Sequence, residues 1–267
     1  MKGSSVKDVT DTLDSWFAEL AEAESRAVAA PPGLTLPRAG DLRATIECGL
    51  LAWPYLQVLG PDGAAVAHEN VFTTRTVQNH AVPGYVHRSR VLALLAGGAT
   101  LRFPSVGDWR PEIRPVVQAA QRALVSGVEA TAWLTAGGAD PVLPEHSGEI
   151  VVVVCSGTLR WKMPSVGRVV ELGPGQALKV VAGPGSGQVA GPDDCLFITL
   201  ARRVPSAREL VAAVQEAGLA HLAGLPQTAT HHLMPAAAKA EWVRTELNRF
   251  YADLDAAELL HSLVRVP

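Results

Sequence analysis

The sequence predicts a mainly β protein of the α+β class, with short strands forming a sandwich or small barrel and helices on either side of it. Three observations carry this expectation. From Val128 to Leu200 the chain runs through β-type segments at 128–135, 149–155, 158–163, 168–172, 176–182 and 195–200, separated by Gly, Pro and Ser. Helical periodicity dominates before and after that region. The 267 residues, 48% of them apolar, suffice for one large core, or for one core with a small appendage.

Along the chain, "DVTDTLDSWFAELAEAESRAVA" sets Val9, Leu13, Trp16, Phe17 and Leu20 at helical spacing, which predicts an amphipathic helix from Asp8 to Ala29 ended by "PPG". "LLAWPYLQVLGPDGAAVA" reads as two apolar runs around Pro61-Asp62-Gly63, a hairpin. "SRVLALLAGGATLRF" predicts a short helix stopped at Gly97-Gly98, then a strand. "RPEIRPVVQAAQRALVSG" predicts a second helix with Pro near its start and Gly after its end. Beyond Pro205 the segments "SARELVAAVQEAG" and "AAAKAEWVRTELNRFYADLDAAELLHSL" are helical, with Ser206 and Glu209 spaced as a capping box. The expected division is a β domain with its N-terminal helix at 1–204 and a C-terminal helical segment at 205–267.

Charge and composition exclude several roles. A formal charge of −3, with 23 basic and 26 acidic residues scattered along the chain, lacks the basic stripe that phosphate neutralisation needs, so no nucleic-acid partner is expected. Apolar runs such as Val151–Cys155 and Leu92–Ala96 fall far short of the ~20 residues that span a bilayer. The early residues carry Asp and Glu without a leader-like core, so the expected location is cytoplasmic, with no membrane partner. Cys48, Cys155 and Cys195 lie far apart without CxxC spacing and are expected as buried reduced thiols. Trp53, Tyr55, Trp133 and Trp161 fall in apolar runs and are expected in the core.

Several segments together resemble the bacterial JmjC-like cupin family, the ribosomal-oxygenase type of iron and 2-oxoglutarate hydroxylase. They are "LLAWPYLQVLGPDG", "RVLALLAGGATLRF", "TAWLTAGG", "EIVVVVCSGTLRW", "LGPGQALKVVAGPGS" and "DDCLFITLARRVPSARELVAAV", in order over roughly residues 40 to 215. The resemblance implies a double-stranded β-helix, a cupin jelly roll, with flanking helices. It also implies iron held by a His-x-Asp pair before the long apolar strand and by a later His, a facial triad that leaves positions open for 2-oxoglutarate and oxygen. A Lys or Arg two residues before the Trp is implied as the grip on the cosubstrate.

Each implied position is altered. Counted back from Gly157 and Trp161, the His-x-Asp pair falls on Pro144 and His146; counted forward from Thr135, it falls on Glu145 and Ser147. The turn Gly173-Pro174-Gly175 is kept, but the acid after it is Gln176, and the later His position is Ser186, whose neutral hydroxyl is a poor ligand for ferrous iron. The cosubstrate grip is Leu159, flanked by Arg160 and Lys162; if Leu159 and Trp161 face inward, strand alternation turns both cations outward. The His of the family's Leu-His-Leu-Thr strand is Phe197.

The resulting expectation is a JmjC-like cupin without the ordinary iron and 2-oxoglutarate site. It would act as a ligand-binding or metal-independent protein in specialised metabolism, with no cofactor and with a small molecule or peptide in the barrel. Two alternatives stay open. One is a hydroxylase of a peptide, protein or small molecule that uses iron, 2-oxoglutarate and non-standard ligands such as His146 and Glu149. The other is a metal-free cyclase or isomerase using Glu145, His146 or Glu149, since a carboxylate beside an imidazole raises its pKa toward working pH. Against both stands a solvated loop before a strand. His80 and His87 flank the family's substrate groove or serve as surface and capping residues, and His231-His232 read as loop. The C-terminal helices expose an apolar face that packs on the barrel or pairs two chains as a homodimer.

Overall fold

The computed structural model describes residues 6–23, 26–124, 126–139, 148–163, 167–182, 188–190, 193–202, 207–225, 234–255 and 259. The N-terminal periodicity forms α1 (Val6–Glu22), which buries Leu13, Trp16, Phe17 and Leu20. It ends short of Ala29 because β1 (Val28–Ala29) is drawn into a sheet, where it pairs with Ala177 and Gln176. The unanticipated α2 (Ala39–Cys48) follows. Its start is fixed by the Asp41 carboxylate, which accepts the Arg38 N–H at 2.7 Å, one limb of a capping box.

The expected hairpin at Pro61-Asp62-Gly63 is a tight turn with a single bridge, Leu59 to Ala65. Its first arm, β2 (Gln57–Leu59), pairs instead with β5 (Thr100–Phe103). Between them lie α3 (His68–Val71), the hairpin β3 (Phe72–Val77) and β4 (His80–Val86), and α4 (Arg88–Ala96). The hairpin turns at Gln78 and Asn79, both at positive φ, the conformation that two-residue hairpin turns require. After β5 come α5 (Val106–Trp109) and α6 (Arg114–Leu124), the latter with Pro115 in its first turn as predicted.

The predicted β region forms β6 (Val128–Thr135), β7 (Gly148–Ser156), β8 (Leu159–Met163), β9 (Arg168–Leu172), β10 (Gln176–Ala182), β11 (Gln188–Ala190) and β12 (Cys195–Arg202). A seven-stranded sheet has the order β1-β10-β7-β12-β6-β5-β2, and a three-stranded sheet the order β11-β8-β9. Every pairing is antiparallel. This is the double-stranded β-helix with flanking helices. β7 lies inside the large sheet with both faces covered, which explains why Ile150 to Cys155 is a continuous apolar run rather than an alternating one.

Two cores result. The outer face of the large sheet packs Val151, Val153, Leu196 and Ile198 with Trp16 and Phe17 of α1 and Val116 and Ala120 of α6. The inner face packs Ile150, Val152, Val154 and Phe197 with Leu159, Trp161, Val170 and Leu172 of the small sheet. Trp133 and Trp161 are core residues, as expected. Trp53 and Tyr55 are not: they precede β2 in a loop and are 59% and 45% exposed. Cys48 likewise ends α2 on the surface, while Cys155 and Cys195 are buried.

The chain divides into two compact units, Met1–Arg202 and Arg203–Pro267. In the second, α7 (Ala207–Gly224) and α8 (Ala236–Asp253) pack together, with Gly218 against Leu247 and Phe250 and the His221 and Phe250 rings 5.2 Å apart. Ser206 and His231-His232 lie outside the described residues. Among the described residues, no helix is long and apolar enough to cross a membrane.

Candidate functional site

Strand alternation and register fix which side chains enter the barrel. On β7, Ile150, Val152 and Val154 point inward and Glu149, Val151 and Val153 outward. Antiparallel partners share a face, so the inner face is built in rows. The outermost row is Glu129, Ala201, Ile150 and Val180; below it come Thr131, Thr199, Val152 and Leu178, then Trp133, Phe197 and Val154. Arg102 of β5 pairs with Trp133 and joins the third row. The outermost row marks the barrel end at which β7 begins and β10 finishes.

The interior is filled by side chains. Trp133 and Phe197 are fully buried and stacked, with ring centroids 6.3 Å apart and planes at 11°. The Trp133 indole N–H donates to Thr199 Oγ1 at 2.9 Å, satisfying the one polar atom of that ring. Leu159 and Trp161 fill the opposite wall, Leu159 without any exposed surface. Arg160 and Lys162 point away from the interior; Arg160 pairs with Glu171 on the neighbouring strand at 3.0 Å. The inward turn of Leu159 and the outward turn of both cations follow the alternation expected from the sequence. The position that the resemblance implies as the cosubstrate grip is a buried Leu, and its inner His position is an aromatic ring in a stack.

Of the residues singled out in the sequence, Pro144, Glu145, His146, Ser147 and Ser186 lie outside the described residues. Glu149 lies on the outer face of β7, half-exposed, with its carboxylate 2.7 Å from the Lys179 ammonium. Lys179 also donates to the Ala21 carbonyl of α1 at 3.1 Å, so this pair ties the helix to the sheet. Gln176 is structural too, accepting the Gly173 N–H at 2.7 Å and closing the Gly173-Pro174-Gly175 turn. His80 is exposed at the start of β4. His87 precedes α4, with Nδ1 3.3 Å from the Ser89 hydroxyl. Among the described residues, no three His, Cys, Asp or Glu side chains converge closely enough to hold a metal ion.

Gly157, which anchors the motif register, has a physical reason to be glycine. Its φ is +77°, and a Cβ there would run into the backbone carbonyl of Asp194. The two buried thiols are held protonated by their environment. Burial, and secondarily the neighbouring Cys195, raises the Cys155 pKa, and burial pushes Cys195 up to about 12.

A polar group that sequence reasoning missed lies on the inner face at the β2-β5-β6 edge. Arg102 extends over Trp133, with its guanidinium carbon 5.5 Å from the ring centroid, and Nη1 donates to Gln57 Oε1 at 2.9 Å. Glu129 is 3.8 Å from Nη2. The signal was present as the alternation in "TLRF" and "VEATAWLT", where polar residues interrupt apolar ones at every second position. At the opposite end of the sheet a cavity of about 740 Å³ is lined by Arg38, Arg43, Ser156, Asp193 and Asp194. There Arg43 pairs with Asp194 at 2.5 Å, and the Ala39 N–H donates to the Ser156 hydroxyl at 3.1 Å.

Neither a family model nor a curated protein matches the sequence. Solved structures do match the fold. The chain is similar to YcfD, a ribosomal oxygenase from Escherichia coli, with 12% identity and a TM-score of 0.50 over 90% of this chain and 67% of that one. A second structure of that protein, in complex with cobalt and 2-oxoglutarate, matches at 12% identity and a TM-score of 0.48 over 90% of this chain and 68% of that one. The cupin domain of an XRE family transcriptional regulator from Enterobacter cloacae matches at 26% identity over 30% of this chain and 83% of that one, with a TM-score of 0.25. The fold is therefore the JmjC-like cupin fold; identity at this level establishes shared architecture and not shared activity.

Proposed function

We propose that this chain keeps the JmjC-like cupin barrel without its ordinary iron and 2-oxoglutarate chemistry and works as a ligand-binding protein in specialised metabolism. The observation that carries this is the buried stack of Trp133 on Phe197, facing Leu159, which puts apolar side chains where the family's imidazole and cosubstrate grip are implied. An interior lined mainly by apolar side chains, with the Arg102 charge at one edge, disfavours a doubly charged acid. The substitutions Pro144 and Ser186 point the same way.

A hydroxylase built on His146 and Glu149 has less support, because Glu149 faces away from the interior and is committed to Lys179. The same placement weakens Glu149 as an acid or base inside the barrel. The experiment is metal analysis of protein purified without chelator, together with calorimetric titration of 2-oxoglutarate. Substoichiometric iron and no cosubstrate heat are expected; stoichiometric iron with micromolar cosubstrate binding would overturn the proposal.

Pairing of two copies through the C-terminal segment belongs to the same proposal. Ala236, Ala240, Val243, Leu247 and Tyr251 line one apolar groove of about 640 Å³ along α8, at the spacing by which helices associate. Light scattering on the intact chain is expected to give twice the monomer mass, and Val243→Asp to halve it. A monomer at all concentrations removes this part.

A further inference from the structure

We propose that Arg102 is an anion-recognition residue of this barrel and that its ligand is a small organic carboxylate with an apolar body. This rests on the proposed ligand-binding function and names the chemistry that the ligand would carry.

Leu101 and Phe103 belong to the outer core, so alternation along β5 turns Arg102 inward. Its guanidinium is positioned from two sides. The ring of Trp133 underlies it at 5.5 Å, and Gln57 takes one donor from Nη1 at 2.9 Å. The Nε and Nη2 edge remains, with two N–H groups in the parallel geometry that binds a carboxylate bidentately. That edge is poorly served within the protein. Nε is buried and makes no hydrogen bond among the described residues, and the Glu129 oxygen lies 3.8 Å from Nη2, beyond the roughly 2.7–2.9 Å of a charge-assisted bond.

Glu129 is 48% exposed at the barrel end, and it shares its row with Ala201, Ile150 and Val180. A carboxylate entering from that end meets the Nε–Nη2 edge, and its organic part faces Ala201, Ile150 and Val180. Glu129 is then a competitor for the site, displaced when ligand binds. The arrangement amounts to a relocated anion grip: the implied cation on β8 is Leu159, whereas a cation over the central tryptophan is supplied from β5.

The test uses the full chain, ¹⁵N-labelled, titrated with hexanoate, with hexanamide as the neutral isostere and 2-oxoglutarate in parallel. Hexanoate is expected to shift the Arg102 Nε–H resonance saturably, and hexanamide to leave it in place. Arg102→Gln should weaken hexanoate binding at least about tenfold, the loss of a charge-assisted pair, and Glu129→Gln should tighten it several-fold by removing the competitor. The Glu129 variant keeps the test decisive should Arg102→Gln fail to fold. Equal binding of acid and amide, unchanged affinity in Arg102→Gln, weaker binding in Glu129→Gln, or no saturable shift in the folded wild-type chain would each overturn the assignment. An iron-free chain that ignores hexanoate loses only this assignment; stoichiometric iron with tight 2-oxoglutarate binding overturns the functional proposal itself.

Discussion

The two faces of the large sheet do different work with the same strands. The outer face meets α1 and α6 through Val151, Val153, Leu196 and Ile198, an ordinary contact between sheet and helices. The inner face meets the small sheet through Val152, Val154 and Phe197, where the resembling family is implied to keep an open, charged site. Here both faces are packed with apolar side chains, and the inner face also carries Thr131 and Thr199 and, at the β2-β5-β6 edge, Arg102, Gln57 and Glu129. The same strands thus present one apolar surface to helices and another to a second sheet.

If the inner face is packed as firmly as the outer, Trp133→Ala should cost about 3–5 kcal/mol in urea unfolding, the usual loss for a large buried aromatic. Trp16→Ala on the outer core should cost a similar amount. A loss below about 1 kcal/mol for Trp133 alone would mean that the barrel is a loosely filled pocket rather than a second core. Gly157→Ala should cost about 1–3 kcal/mol, the size of local backbone strain, since its φ of +77° and the Asp194 carbonyl both oppose a side chain. An unchanged urea midpoint would show that the β7–β8 turn relaxes freely.

The thiols compare the faces directly, because Cys155 belongs to the outer core and Cys195 to the inner. Both hold their proton more tightly folded than unfolded, so their contribution to stability is intact below the ordinary thiol value of 9.0 and falls as pH rises from there toward about 12 for Cys195. Unfolding curves at pH 7 and 10.5 should show that decline, with a smaller one in Cys195→Ala. Disulfide-exchange reagent should label Cys48 alone in the native chain; rapid labelling of Cys195 would mean that the inner face opens. The smallest effect belongs to Glu149→Gln, expected below about 1 kcal/mol because the Lys179 pair is solvent-exposed. A loss of ligand binding in that variant would return Glu149 to the site.

Much of the barrel was legible from local pattern. Successive runs bounded by Gly and Pro mark β6 to β10 and β12 almost to the residue, and Gly157 and Trp161 fix the register that places Leu159 at the anchor. The β3–β4 hairpin was missed because its turn uses Gln78-Asn79 instead of a glycine pair. The helix α2 was missed because only Leu42 and Ile46 are buried on it, too few to show a periodicity. Trp53 and Tyr55 were misjudged because aromatic character does not report whether a neighbouring element covers a loop.

Sequence order alone told that residues two apart on a strand share a face, and the resemblance implied Pro144, Leu159, Ser186 and Phe197 at the motif positions. It did not tell which parity faces inward at each strand, because that depends on partners far along the chain. Pairing of β6 with β12 and of β12 with β7 put Glu129, Ala201 and Ile150 in one row; pairing of β10 with β7 beside α1 gave Glu149 to Lys179 on the outside. Alternation is a local property of the backbone, whereas inside and outside exist only after non-local strands and helices have closed around it.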